Sequence, residues 1–402
     1  MKNFSRLLLT ISIISGLISI NCKTSEKKYK PLHSFNGNDG ATPKGTLTLV
    51  NNDLYGYTSA GGKNNKGVIF KTDIDGKNFQ TLYHFEDGEN NGTGKEPHHD
   101  AMLYFNNALY GAALYGGSNN NGVIFKINTD GSGYTPVHVF NGGVNDGAQP
   151  HSGVVVINNI FYGMTAEGGT HNNGALYQIN PDGSGFSVIH SFHKSQGDNP
   201  HGKPVPGSDG HTVFGITKSG GAADLGVIFS FDLTDTSYNI IHTFQKGKND
   251  GNTSEHGYLA RSGTKLFGMT QYGGDNDKGI IFSINEDSSD FKIMHSFGAK
   301  DKDGKDPFGS LHLSNGFLYG STQDGGENDR GTIFKIGVDG NGYEIIFSFD
   351  RPTSGEYPID NVTLNNDGSL IFCFGQQGGE NDDDGKKKYG TIVRMNTSGS
   401  AK

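Results

Sequence analysis

Tryptophan is absent from the 402 residues, and there are only 2 cysteines, 12 prolines and 6 methionines. With Cys22 and Cys373 alone, and Cys22 set apart below, no disulfide framework can staple the chain. Positive charge is also short: 33 Lys and Arg stand against 42 Asp and Glu, a formal net charge of −9. That balance argues against nucleic acid as a partner, because phosphate binding needs clustered Lys and Arg. No Walker loop, GxSxG elbow, HExxH or CxxC occurs, so no recognised catalytic motif is offered. Hydrophobic residues make up only 33%, which would suit a disordered chain if they were scattered. Here they recur in short β-type runs between turn signals, as a segmented β-core requires.

What the chain has in quantity is glycine, 63 residues, and much of it is periodic. Gly-Gly doublets begin at Gly61, Gly116, Gly168, Gly220, Gly273, Gly325 and Gly378, spaced 55, 52, 52, 53, 52 and 53 residues apart. Regular long periods of this kind mark an array of one supersecondary unit, such as a propeller blade. In the third unit, Val154 to Ile157 and Ile160 to Thr165 flank an Asn158-Asn159 turn. After the Gly-Gly loop come Gly174 to Ile179, a Pro181-Asp182-Gly183 turn and Phe186 to Phe192. Asn and Gly tolerate positive φ and suit tight hairpins, so each unit predicts four antiparallel strands. The expected fold is all-β, a seven-bladed β-propeller over residues 31–396, with a C-terminal tail at 397–402.

The fourth strand ends in His-x-Phe or a relative: His33/Phe35, Tyr83/Phe85, His138/Phe140, His190/Phe192, His242/Phe244, His295/Phe297 and Phe347/Phe349. The first copy precedes every Gly-Gly doublet, and the last unit has none. The N-terminal strand is therefore expected to complete the last blade, which removes exposed sheet edges. These histidines repeat with the fold and read as structural. Cys373 stands where the other six units have glycine in the second strand, and reads as a small buried filler.

The unit looks somewhat like kelch, but the kelch tryptophan is missing throughout. It more closely resembles the GloVer tandem repeat of cyanobacterial and verrucomicrobial proteins. Leu109-Tyr110-Gly111, Gly116-Gly117, Asn120, Gly122 to Ile127, Asp130-Gly131, Tyr134 and His138-Val139-Phe140 carry the resemblance. It covers nearly all of the mature chain and implies attachment to a cell surface, but brings no activity or catalytic residues. The N-terminus resembles a bacterial lipoprotein signal: Lys2 and Arg6, an apolar stretch Leu7 to Ile20, then Ile18-Ser19-Ile20-Asn21-Cys22. It implies a signal peptide over 1–21, a lipidated Cys22 and a tether over 22–30. The membrane is then a partner through the anchor, and the location is extracytoplasmic, in the periplasm or on the outer-membrane surface.

Alternating strand direction sends the Gly-Gly loops and the long interblade links to one face. Long polar loops on one rim of a rigid scaffold are where binding resides. The links carry a motif near Asp-Gly-x-x-Pro, and the residue after Pro is Lys44, His98, His151, His201, Phe308 and Ile359 in six units. In the fifth unit Glu255 takes the Pro place and His256 follows. Four successive blades thus present histidine at one station near the channel mouth, with His99 and Asp100 beside them. Histidine suits ligand binding, acid–base work or a transition metal, although equivalent stations on a ring are expected to lie apart. The oxygen-rich Gly-Gly loops, such as Asp275 to Asp277 and Glu380 to Gly385, could hold Ca²⁺, but Asx residues also serve turns. Asp382 to Asp384 followed by Lys386 to Lys388 reads as a solvated insertion in the last blade.

The preferred expectation is a monomeric binding module for a glycan, peptide or protein, with no cofactor required. The alternative is an enzyme, a lyase or hydrolase on saccharide or peptide, using the channel-mouth histidines.

Overall fold

A computed structural model describes residues 29–86, 92–351, 353–379 and 389–398. The signal segment 1–21, Cys22, the Glu380 to Gly385 loop and the insertion that includes Asp382 to Asp384 and Lys386 to Lys388 lie outside the described residues. Seven antiparallel sheets follow one another along the chain and close into a ring, the seven-bladed propeller that the glycine period predicts. In the first blade, Thr48–Val50, Asp53–Ala60, Val68–Asp73 and Gln80–His84 run from the axis outward. The seventh blade takes Thr363–Leu364, Leu370–Gly375 and Thr391–Asn396 from the C-terminal end, and Tyr29–Ser34 from the N-terminal end. Tyr29 pairs with Met395 and Ser34 with Thr391. The ring-closing strand thus begins two residues inside the segment read as tether.

Six of the seven blades pack around a glycine of the second strand. Gly56, Gly111, Gly163, Gly215, Gly268 and Gly320 pair with Phe70, Phe125, Tyr177, Phe229, Phe282 and Phe334 of the third strand. A Cβ on Gly111 would sit 2.5 Å from the Phe125 ring, so the aromatic lies over the space that glycine leaves. In the seventh blade both partners change together: Cys373 pairs with Val393. A larger residue on one strand is matched by a smaller one opposite, which conserves volume in a close-packed core.

The outer strands are joined by rings. His33, His138, His190, His242 and His295 stack on Phe79, Phe186, Tyr238, Phe291 and Tyr343 of the following blade, at centroid distances of 3.5, 3.8, 4.3, 3.9 and 3.6 Å. Four of them also meet an aspartate of the adjoining link: Asp39, Asp146 and Asp250 at 3.0 Å, and Asp303 at 3.4 Å. The His-x-Phe histidines therefore fasten blade to blade, as their repetition suggests.

Candidate functional site at the channel mouth

The interblade links and the Gly-Gly loops share one face and bond to each other. Gly147 pairs with Gly168, Gly251 with Gly273, and Gly304 with Gly325. Within the loops, Asn65, Asn120, Asn172, Asp224, Asp277 and Asp329 each accept a hydrogen bond, at 2.9 to 3.1 Å, from the N–H of the first glycine of the doublet. These oxygens close their own loops.

A second sevenfold bond fixes where each link turns inward. The N–H groups of Thr42, Glu96, Gln149, Asn199, Thr253, Asp306 and Tyr357 donate to carbonyls of the preceding blade at 2.7 to 3.2 Å. All seven residues have φ between 52° and 57°. Counting from this bond corrects the fifth blade: Ser254 stands in the Pro place, Glu255 at the station and His256 one residue beyond. The second blade has the same extra residue, His99, held at a φ of 47°. The seven stations are therefore Lys44, His98, His151, His201, Glu255, Phe308 and Ile359. Glu255 turns to Lys218 of the Gly-Gly loop next to it, 2.6 Å away.

The two extra histidines reach inward and meet. His99 and His256 stack at 3.6 Å with 17° between their planes. His151 stacks on His201 at 3.8 Å, and Nδ1 of His201 lies 3.2 Å from Nδ1 of His256. His98 contacts His99 edge-on at 3.7 Å, and Lys44 Nζ lies 2.5 Å from His98 Nε2. The predicted histidines thus form one cluster, closer than equivalent stations were expected to lie. Among the described residues, two groups suit a metal ion, His98–His99–His151 and His151–His201–His256, each with ligand atoms within 4.8 Å of one another.

Beneath the cluster a polar layer crosses the axis. His99 Nδ1 bonds Asp360 at 3.0 Å, and Asp360 also accepts the Gly45 N–H at 2.7 Å. Lys203 pairs with Asp100 at 3.0 Å and lies over the Tyr258 ring. Asn361 donates to the Tyr258 hydroxyl at 2.8 Å. Asp100 thus belongs to this supporting layer, held to Lys203 of the fourth blade. The sequence singles out neither Asp360 nor Lys203 and gives Glu255 only the Pro place; the one available signal is Asp360 following Ile359 of the seventh station.

Burial sets the protonation of the cluster. His99, His151, His201 and His256 are less than a tenth exposed. Burial, reinforced by neighbouring histidines and Lys44, pushes His98 and His99 well below the ordinary value. The same cause lowers His201 and His256 and brings His151 to about 3. Burial raises Asp360 to about 6 against the opposing pull of the Gly45 amide and Lys44. At neutral pH these imidazoles are uncharged, the form that carries a lone pair for a proton or a metal. Among the described residues, the Nδ1 atoms of His98 and His151 are buried with no hydrogen-bond partner.

The family description Gloeobacter/Verrucomicrobia repeat matches residues 16–211 and 183–386. No curated protein matches the sequence. In structure, the chain is similar to an oligogalacturonate lyase in complex with manganese, with a TM-score of 0.58 at 10% identity over 92% of this chain and 94% of that one. The extracellular domain of BT4673 from B. thetaiotaomicron gives 0.57 at 11% identity, covering 92% of this chain and 39% of that one. A puromycin-hydrolyzing peptidase of Mycobacterium tuberculosis gives 0.55 at 9% identity, with 94% and 56% covered. At such identities the likeness is one of fold.

Proposed function

The chain belongs to the Gloeobacter/Verrucomicrobia repeat family, and from that premise we propose a lipid-anchored, extracytoplasmic propeller that binds its ligand at the histidine-lined mouth. The observation that carries this reading is the convergence of Lys44, His98, His99, His151, His201 and His256 at the loop-rich end of the ring. Phe308 adds an apolar wall, with its ring 4.8 Å from His256. A glycan or peptide would meet neutral imidazoles that accept or donate hydrogen bonds, beside an aromatic face suited to stacking. The lipobox at Cys22 supports tethering of that face outside the cytoplasm.

A second reading, a lyase or hydrolase on saccharide or peptide, is favoured by the same cluster: uncharged imidazoles in contact with one another can pass or accept a proton. The scaffold is compatible with it, since an oligogalacturonate lyase shares the fold. Glycan and peptide arrays probed with the wild type and with a His98→Ala/His151→Ala/His201→Ala variant test the mouth. Loss of the captured ligand is expected, whereas a variant that keeps every binding property contradicts the proposal. Membrane fractionation of Cys22→Ala tests the anchor, with release into the soluble fraction expected.

A further inference from the structure

Three imidazoles of the mouth bring one ring nitrogen each close together, in rings that are stacked and would turn to aim those nitrogens at one ion. His151 and His201 are the station residues of the third and fourth blades, and His256 is the extra residue of the fifth. One ring nitrogen of each lies within 4.8 Å of the others. The His201–His256 pair is at 3.2 Å. Two nitrogens bound to one zinc at about 2.0–2.1 Å with tetrahedral angles stand about 3.3 Å apart. A hydrogen bond alone would explain that pair. It would leave unexplained the third imidazole nitrogen within 4.8 Å of the pair and the Nδ1 of His151, buried with no hydrogen-bond partner among the described residues.

We propose that His151, His201 and His256 bind one divalent transition-metal ion of the zinc type. Nitrogen donors without carboxylate suit zinc, copper, iron or nickel rather than calcium or magnesium. Three protein ligands leave a further position open, as in catalytic rather than structural zinc sites. That position would take an oxygen donor of the bound ligand, a carboxylate, carbonyl or hydroxyl. His99, stacked on His256 and fixed through Nδ1 by Asp360, holds the His256 ring in place.

The inference deepens the reading of the mouth as the binding site and has its own test. The full mature chain, stripped with a chelator, is titrated with Co²⁺ and followed by visible absorption and elemental analysis. One Co²⁺ per chain is expected, displaced by Zn²⁺. His201→Gln and His256→Gln should each weaken it by at least about tenfold, the least that a change even in an outer shell costs a metal site. His211→Gln, on an exposed turn, should leave it unchanged. Thermal melts without metal establish that each variant is folded, and His201→Gln and His256→Gln carry the test if His151→Gln does not fold. Absence of bound Co²⁺, or binding that survives both variants, overturns the inference. Ligand captured on the arrays with no Co²⁺ bound overturns this inference alone; bound Co²⁺ with no ligand captured overturns only the preceding reading.

Discussion

His99 and His256 come from the second and fifth blades, yet their rings stack 3.6 Å apart across the mouth of the propeller. Each is a one-residue addition to its link, so the contact is made by two matched departures from the repeat. His99 pays for its place with a left-handed backbone, at a φ of 47°, a conformation uncommon for residues other than glycine. The bond from its Nδ1 to buried Asp360 holds it there.

His99→Ala should therefore destabilise the fold by about 1.5–3 kcal/mol, as expected for loss of a hydrogen bond to a charged group. Urea denaturation measures it. In a double-mutant cycle with Asp360→Ala the two losses should fall short of additive, because both remove the same bond. Strict additivity would show that the pair does not couple.

The outer rim predicts a pH dependence. His190 stacks on Tyr238 like its counterparts, but Gln196 stands before Gly197 where four other links have aspartate before glycine, and Nε2 of His190 is buried with no hydrogen-bond partner among the described residues. Burial lowers its pKa to about 4 from an ordinary 6.5. The unfolded chain takes up this proton near 6.5 and the folded one only near 4. This contribution to stability is therefore full above pH 6.5 and declines as pH falls towards 4. Gln196→Asp supplies the missing carboxylate and should flatten the decline between pH 7 and 5, read as urea midpoints. An unchanged slope would contradict the assignment.

Cys373 and Val393 should behave as one packing unit. Cys373→Gly alone leaves a void beneath Val393, and Val393→Phe alone overfills the site, each costing roughly 1–3 kcal/mol. The double variant rebuilds the glycine–aromatic pair of the other six blades and should recover most of the loss. Thermal melts of the three variants decide it; a double variant worse than both singles would show that the seventh blade packs differently.

The glycine ruler made the ring legible because Gly-Gly and the glycine facing Phe70, Phe125 and their equivalents are each demanded once per blade by backbone geometry and packing. The offset of the His-x-Phe set made closure by Tyr29–Ser34 legible for the same reason. The mouth was readable in part. Proline in the link points to His98, His151 and His201, but the fifth blade lacks that proline, and its sequence alone sets Glu255 one position too early. Only the repeated link bond, made there by Thr253, sets the count. Asp360 and Lys203 stand out from no repeat because their partners, His99 and Asp100, lie across the ring, and contacts through the axis leave no period in the chain.

The proposed gathering of the mouth histidines around a metal is open to one decisive measurement. The direct measurement is anomalous diffraction above and below the zinc edge from crystals soaked in Zn²⁺, in a lattice that leaves the mouth open. The account predicts one peak bonded to His151, His201 and His256. A map with no peak at that place would contradict it.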